Sequence, residues 1–415
     1  MIMMHRVVVT GMGALTPIGN SVDEFWNGAK NGQNGIDEIK SFPIDNLRVS
    51  LAGELKEFKI EDFMDKREAK RMDRFCQLAM IASEEAIKDS GLNLDEIDKD
   101  NFGVIVGSGI GGLSTTEKEK EKLMEKGPAR ISPFMIPMII ANIAAGNIAI
   151  KYGAKGVCTS IVTACATGTN CIGEAFKKIK YGDEEMMIAG GTEAAITPLA
   201  ISGFANLTAL STSKDKNRAS IPFDKERNGF VMGEGAGILI LESLEHALKR
   251  GAKIYGEIIG YGANCDAYHI TSPSPEGDGA AKCMKLAIKE GGIKYEEVSY
   301  INAHGTGTPY NDKFETIAIK KVFGEYAYKI PVNSTKSMTG HLLGAAGAIE
   351  SIICLKSLQE GYVHPTISLN VKDEDCDLDY VANNGRKVEL KYAMSNSLGF
   401  GGHNATLLFK KWEGR

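Results

Sequence analysis

The 415-residue chain has no Cys-x-x-Cys pair, although it contains eight cysteines. The missing spacing excludes the common zinc and dithiol motifs, and eight cysteines over this length do not make the dense framework of a small secreted domain. A reducing cytoplasm is the compartment this usage predicts. The chain also lacks about 18 uninterrupted apolar residues, the least that a membrane span needs. Its most apolar stretch, Phe134 to Ile150, is broken by Pro137, Asn142, Gly146 and Asn147, so no membrane role is expected. The run Arg6-Val7-Val8-Val9-Thr10-Gly11 is too short for a signal peptide and reads as a first strand entering a glycine turn. Basic excess is missing as well. The formal net charge is -5, which argues against nucleic acid as a general partner.

What the chain does have is ordinary globular composition, 43% hydrophobic and 24% charged, with an unusual 47 glycines. That is about 11% against a usual ~7%, so the backbone must turn tightly or approach a ligand closely in several places. The length suggests two or three domains. Strands and helices alternate throughout, the pattern of a mostly parallel sheet covered by helices on both faces. The second half echoes the first: Val298 to Gly307 and Ile330 to Ser334 are again strands entering loops, and Gly344 to Leu358 is again an amphipathic helix. Two related αβ halves, 1–253 and 254–415, would bring their functional loops to one crevice beyond the strand ends.

The first half centres on Thr163-Ala164-Cys165-Ala166-Thr167-Gly168. Val157 to Val162 is rich in β-branched residues and reads as a buried strand, and Asn170 to Lys180 has helical apolar spacing. Cys165 therefore stands at a strand-to-helix turn, where free N–H groups and the positive helix end favour thiolate over thiol. A buried cysteine acting as a small hydrophobe is the competing reading. A second glycine loop, Gly107-Ser108-Gly109-Ile110-Gly111-Gly112, fits a dinucleotide fingerprint. No acidic residue closes a new strand about 20 residues on, so nucleotide binding is disfavoured.

Three further loops raise the standing of Cys165. Asn302-Ala303-His304-Gly305-Thr306-Gly307-Thr308-Pro309 puts a histidine at a strand end, and Lys336-Ser337-Met338-Thr339-Gly340-His341 puts a lysine and a second histidine before a helix. Ser395-Asn396-Ser397-Leu398-Gly399-Phe400-Gly401-Gly402 sets an aromatic residue inside a glycine turn. With Val7-Val8-Val9-Thr10-Gly11-Met12-Gly13, Pro222-Phe223-Asp224 and Gly229-Phe230-Val231-Met232-Gly233-Glu234-Gly235-Ala236-Gly237, these loops resemble the β-ketoacyl-acyl carrier protein synthases, most closely type II. The resemblance runs nearly end to end. It implies a thiolase-like fold with layered α-β-α-β-α architecture, and decarboxylating condensation of malonyl-acyl carrier protein with an acyl-enzyme.

On that resemblance Cys165 is the nucleophile, and the backbone N–H groups of Cys165 and Phe400 hold the oxyanion. His304 and His341 act as neutral donors to the enolate. Lys336 fixes the charge and orientation of the site, a plain salt bridge being its other reading. Thr306 and Thr308 meet the phosphopantetheine arm, although turn chemistry also explains them. Asp312 and Glu315 hold Lys336 and the loop. No cofactor is required; a structural monovalent cation is allowed at Asn302, Glu350, Asn396 and Ser397.

Acyl length would be set by a pocket with Ile110 as its gate, Phe204 and Phe400 at the entrance, and Phe134 entering from the second subunit of a homodimer. Lys66, Arg67, Lys70, Arg71 and Arg74 repeat at helical intervals and share a face. That face suits an acidic carrier protein, with Lys214 and Arg218 as additions; a solvated charge run is the alternative. His403, Leu398 and Ile221 depart from the commonest family pattern and remove no catalytic group. A thiolase would need a second cysteine between Gly399 and Gly402, and a chain-initiating synthase would typically exchange one histidine for asparagine. A cysteine hydrolase would need a water-activating pair. A non-catalytic acyl-binding or chain-length subunit would lack the nucleophile.

Overall fold

The inner strands are runs of small and β-branched residues buried along their whole length, as a sheet covered on both faces requires. The computed structural model describes residues 4–414. Its first series is β1 (Val7–Leu15), α1 (Arg74–Ser90), β2 (Phe102–Gly107), α2 (Ile143–Tyr152), β3 (Cys158–Thr159), α3 (Thr167–Lys180), β4 (Met186–Glu193) and β5 (Gly235–Ser243). The second is β6 (Gly256–Cys265), α4 (Asp278–Gly291), β7 (Tyr300–Asn302), α5 (Pro309–Phe323), β8 (Val332–Asn333), α6 (Ala346–Glu360), β9 (Tyr392–Gly399) and β10 (His403–Lys411). The two series have the same order of strands and helices, and the second opens just after Lys253.

The ten strands form one hydrogen-bonded sheet in the order β8-β7-β9-β10-β6-β1-β5-β4-β2-β3. Read outward from the centre, each half follows the same path. β1 meets β6 antiparallel at Val7–Ile258, Val8–Glu257 and Val9–Gly256, and this short ladder joins the halves. In each half the last strand slots in antiparallel between the first and fourth, while the other pairings are parallel. The expected parallel sheet is therefore mixed at its middle and parallel at its rims.

Helices α3 and α6 lie between the halves, in the core that also takes in Met187, Leu239, Ala393 and Leu407. α1 and α2 cover the outer face of the first half, and α4 with α5 that of the second. This is the layered α-β-α-β-α arrangement. One element differs from expectation: only Cys158–Thr159 of Val157 to Val162 pairs as strand, and both residues are exposed. β3 is the rim strand, so its outer edge has no neighbour to bury it.

The turn ahead of each central helix repeats too. Ala164–Ala166 precedes α3 and Leu343–Ala345 precedes α6, and each opens on a left-handed residue, Ala164 at φ 50° and Leu343 at φ 46°. Gly344 thus takes the place in the second half that Cys165 takes in the first. The turns cross at backbone contact. A Cβ on Gly191 would stand 2.3 Å from the Gly344 oxygen and 2.9 Å from the Gly168 Cα. Gly191→Ala is expected to lose about 1–3 kcal/mol through overpacking. A lowered urea midpoint checks this, and an unchanged midpoint would show that the crossing relaxes freely.

Candidate active site

Cys165 is held by its own turn. The Thr163 N–H donates to Thr167 Oγ1 at 2.9 Å, and the Thr163 hydroxyl donates to Asn170 Oδ1 at 2.6 Å. Gly399 packs on this turn so closely that a Cβ there would stand 2.7 Å from the Thr163 oxygen. The glycine brings the next residue in, and the backbone N–H groups of Phe400 and of Cys165 itself act to lower the thiol pKa. Backbone N–H groups beside a sulfur favour negative charge that develops there.

The thiol differs from expectation. Burial pushes it up to about 12; Lys336 and the two N–H groups oppose the shift, and the carboxylate of Glu193 adds to it. The helix end that favours thiolate in sequence is here outweighed by desolvation. Burial therefore favours the thiol over the thiolate at Cys165.

His304 and His341 stand ring to ring, 5.2 Å between centroids at 83°. Both are buried, and burial first and Lys336 next hold each well below the ordinary histidine value, so both are neutral. The Leu343 N–H donates to His341 Nδ1 at 3.2 Å, which leaves the ring proton on Nε2. That Nε2 is buried with no partner among the described residues, as is His304 Nδ1. Unsatisfied polar atoms of this kind are costly unless a ligand meets them.

Lys336 is 1% exposed, and its Nζ donates to Glu350 Oε1 at 2.5 Å. Burial raises the Glu350 carboxyl to about 7 against the pull of the lysine. The expectation that Asp312 and Glu315 hold Lys336 is corrected here. They hold the histidine loop: Glu315 accepts the N–H groups of His304 and Gly305 at 2.8 and 2.9 Å, and Asp312 those of Phe223, Thr306 and Gly307. A carboxylate has lone pairs enough to satisfy several loop N–H groups at once, and Asp312 does so while also facing the Arg227 guanidinium.

Cys165, His304, His341, Phe400, Phe204, Thr306 and Thr308 line one cavity of about 370 Å³. The two threonine hydroxyls are 2.9 Å apart at its side. Phe204 lies 6.3 Å from Phe400 and 5.6 Å from Phe230, which meets His341 edge-on at 5.2 Å. Phe230 was not singled out from sequence; its setting between two glycine turns was the available signal. Ile110 and Phe134 do not line this cavity in the single chain. They are 37% and 41% exposed, and the Arg71 guanidinium lies 5.2 Å above the Phe134 ring.

The basic stretch is not one helical face. Lys66–Ala69 is a separate short helix, and Arg74 opens α1 in a bidentate pair with Glu234 at 2.6 and 2.7 Å. Arg218 is likewise engaged, with Asp224 and Glu226, while Lys214 reaches the Arg48 carbonyl. Lys66, Arg67, Lys70 and Arg71 are exposed and form no ion pair among the described residues.

Residues 4–247 match the Beta-ketoacyl synthase, N-terminal domain, and residues 255–370 the Beta-ketoacyl synthase, C-terminal domain. The chain belongs to the β-ketoacyl synthase family. It is 55% identical to 3-oxoacyl-[acyl-carrier-protein] synthase 2 of Synechocystis sp. (strain ATCC 27184 / PCC 6803 / Kazusa), over 98% of each chain. The like-named protein of Staphylococcus aureus (strain COL) is 56% identical, over 98% of this chain and 99% of the other. Among solved structures, the AntDE:AntF complex, a type II PKS acyl-carrier protein with its hexaketide-bound ketosynthase, has a chain matching at TM-score 0.92 and 38% identity. That match covers 99% of this chain and 100% of the other. A β-ketoacyl synthase from Burkholderia phymatum STM815 matches at TM-score 0.91 and 33% identity, with the same coverage. The fold is thiolase-like, as in these ketosynthases.

Since Lys336 holds both imidazoles and the thiol down, Lys336→Met should raise all three pKa values. Histidine NMR should show both rings titrating at higher pH, and iodoacetamide should alkylate Cys165 more slowly, roughly tenfold per unit of thiol shift. Unmoved histidine titrations would mean that burial alone keeps the rings neutral.

Proposed function

We propose that the protein condenses malonyl-acyl carrier protein with an acyl-enzyme thioester to give 3-oxoacyl-acyl carrier protein, extending fatty acids by two carbons. The observation that carries this reading is that Cys165 and two neutral imidazoles, one of them fixed as an Nε2 donor, line a single cavity. The curated relatives named above carry the same activity in their names.

In the first half-reaction the Cys165 sulfur attacks the acyl thioester as its proton leaves. His304 suits the acceptor role, because no backbone group dictates which ring nitrogen carries its hydrogen. The oxyanion is met by the N–H groups of Cys165 and Phe400, and the carrier leaves as its thiol. Malonyl carrier protein follows, its pantetheine arm beside Thr306 and Thr308. Carbon dioxide departs, and the electron pair it leaves becomes an enolate whose oxygen takes hydrogen bonds from His341 Nε2 and His304. The α-carbon then attacks the acyl carbonyl, the carbon–sulfur bond breaks, and the departing Cys165 thiolate takes a proton from solvent to return to the thiol. Holding the imidazoles neutral matters because an imidazolium would pass its proton to the enolate and quench it, whereas a neutral ring N–H only hydrogen-bonds to the oxygen. Lys336 maintains that state and, paired with Glu350, remains in place.

Oxygens suited to a monovalent cation are present: Glu350 Oε2 and Asn302 Oδ1 are buried without partners, while Asn396 Oδ1 and Ser397 Oγ already have hydroxyl partners. Such an ion, when bound, would add fixed positive charge beneath Lys336. A homodimer belongs to the same reading. Phe134, Ile136, Ile140, Ile150 and Val162 are exposed, the outer edge of the rim strand β3 is unpaired among the described residues, and a second copy would cover them and bring Phe134 toward the acyl pocket with Ile110. So do the division at 253/254 and a cytoplasmic site of action, where eight free cysteines persist. A non-catalytic acyl-binding subunit is the weaker reading, because Cys165, His304, Lys336 and His341 are all in place.

Intact mass spectrometry after incubation with hexadecanoyl or shorter acyl carrier protein should show an adduct that Cys165→Ala abolishes and malonyl carrier protein discharges. No adduct at any chain length would favour the acyl-binding subunit. For docking, Arg67→Glu with Arg71→Glu should raise KM for carrier-bound substrate about tenfold at low salt and leave Cys165 alkylation unchanged. Equal loss of both would indicate misfolding and remove the support for docking on that face.

A further inference from the structure

Glu193 ends β4 with 0% exposure and takes no part in the mechanism above. Its carboxylate meets four donors. Oε1 accepts from the Ser108 hydroxyl at 2.7 Å and the Ile110 N–H at 3.2 Å; Oε2 accepts from the Gly109 N–H at 2.9 Å and the Gly344 N–H at 3.0 Å. Burial pushes the carboxyl up, and these four bonds pull it back. The cradle admits only glycine, since a Cβ on Gly109 would stand 2.8 Å from Oε2 and one on Gly344 2.9 Å. The glycine loop that mimics a phosphate-binding motif thus turns the N–H groups of Gly109 and Ile110 onto an anion of its own chain.

The donors come from two places with different tasks. Ser108, Gly109 and Ile110 form the loop that carries the acyl gate. Gly344 follows Leu343, whose N–H fixes the tautomer of His341. We infer that Glu193 is a positioning residue that ties the Ile110 loop to the Leu343–Gly344 turn, so that the acyl gate and the His341 donor are held in one arrangement. The inference rests on the condensation proposed above. A carboxylate is required because all four partners donate; an amide would aim an NH2 group at one pair of them. The Ile110 N–H and the Gly344 N–H thus share one carboxylate, and the Leu343 N–H, one residue before Gly344, completes the link to His341.

The experiment compares Glu193→Gln, Glu193→Asp and Ser108→Ala in the full-length protein. Three quantities are read: melting temperature, carbon dioxide release from malonyl carrier protein, and the acyl-length profile of Cys165 acylation by intact mass. Glu193→Gln is expected to fold, to lose roughly tenfold or more in kcat for decarboxylation with KM little changed, and to flatten the length profile. Glu193→Asp should restore part of both. Ser108→Ala keeps the charge and the Gly344 bond, so it should flatten the profile with a smaller loss in kcat. A Glu193→Gln protein with wild-type kcat and profile, altered only in melting temperature, would overturn the inference in favour of a purely structural carboxylate. Should Glu193→Gln not fold, an unchanged profile in Ser108→Ala overturns it. Wild-type protein that neither takes an acyl group nor releases carbon dioxide would instead sink the condensation reading, before any variant is compared.

Discussion

The site depends on backbone contact between two turns, one from each half, at a crossing where Gly168, Gly191 and Gly344 leave no room for a side chain. Close packing of this kind transmits position with little slack. It sets Cys165, at the head of α3, against the turn that orients His341, at the head of α6. Each turn opens on a left-handed residue, and that shared strain repeats at the two places where the chain delivers chemistry.

Around the crossing the molecule buries several charges and satisfies nearly all of them locally. Asp312, Glu315 and Glu193 each take backbone N–H groups from loops, and Lys336 takes Glu350. The carboxylates thus act as loop anchors and the lysine sets the field, which leaves the imidazoles neutral. Among the described atoms left without partners are His341 Nε2 and His304 Nδ1 in the cavity, Asn302 Oδ1 and, beside Lys336, Glu350 Oε2. Polar atoms in a dry interior are tolerated when binding completes them.

Duplication explains how one cavity holds groups so far apart in the chain. The same β-α-β-α-β-α-β-β path occurs twice, and β1 pairs with β6 to place equivalent turns face to face. The halves then diverge in content: the first supplies the sulfur, where the second has Gly344, and the second supplies His304, Lys336 and His341. Phe400, from the turn between β9 and β10, lines the same cavity.

Much of this was legible along the chain. Cys165, His304, Lys336, His341 and Phe400 all sit in or beside glycine-containing turns at strand or helix ends, where local sequence marks a candidate site. The strand and helix alternation, and its repetition, also announced themselves through hydropathy alone. What depends on distant partners did not. Arg74 reads as part of a basic face until Glu234 is found to neutralise it, and Glu193 reads as the end of a strand until four donors surround it. Ile110 and Phe134 fall outside the cavity of the single chain. The state of the Cys165 thiol followed the same rule, since burial is a property of everything packed around a residue. Sequence determined which groups are present and which turns carry them, because turn and strand preferences act over a few residues. Only the tertiary structure decided which charges are cancelled, which atoms stay unpaired and which loops are tied together, because desolvation and hydrogen bonding depend on distance in space.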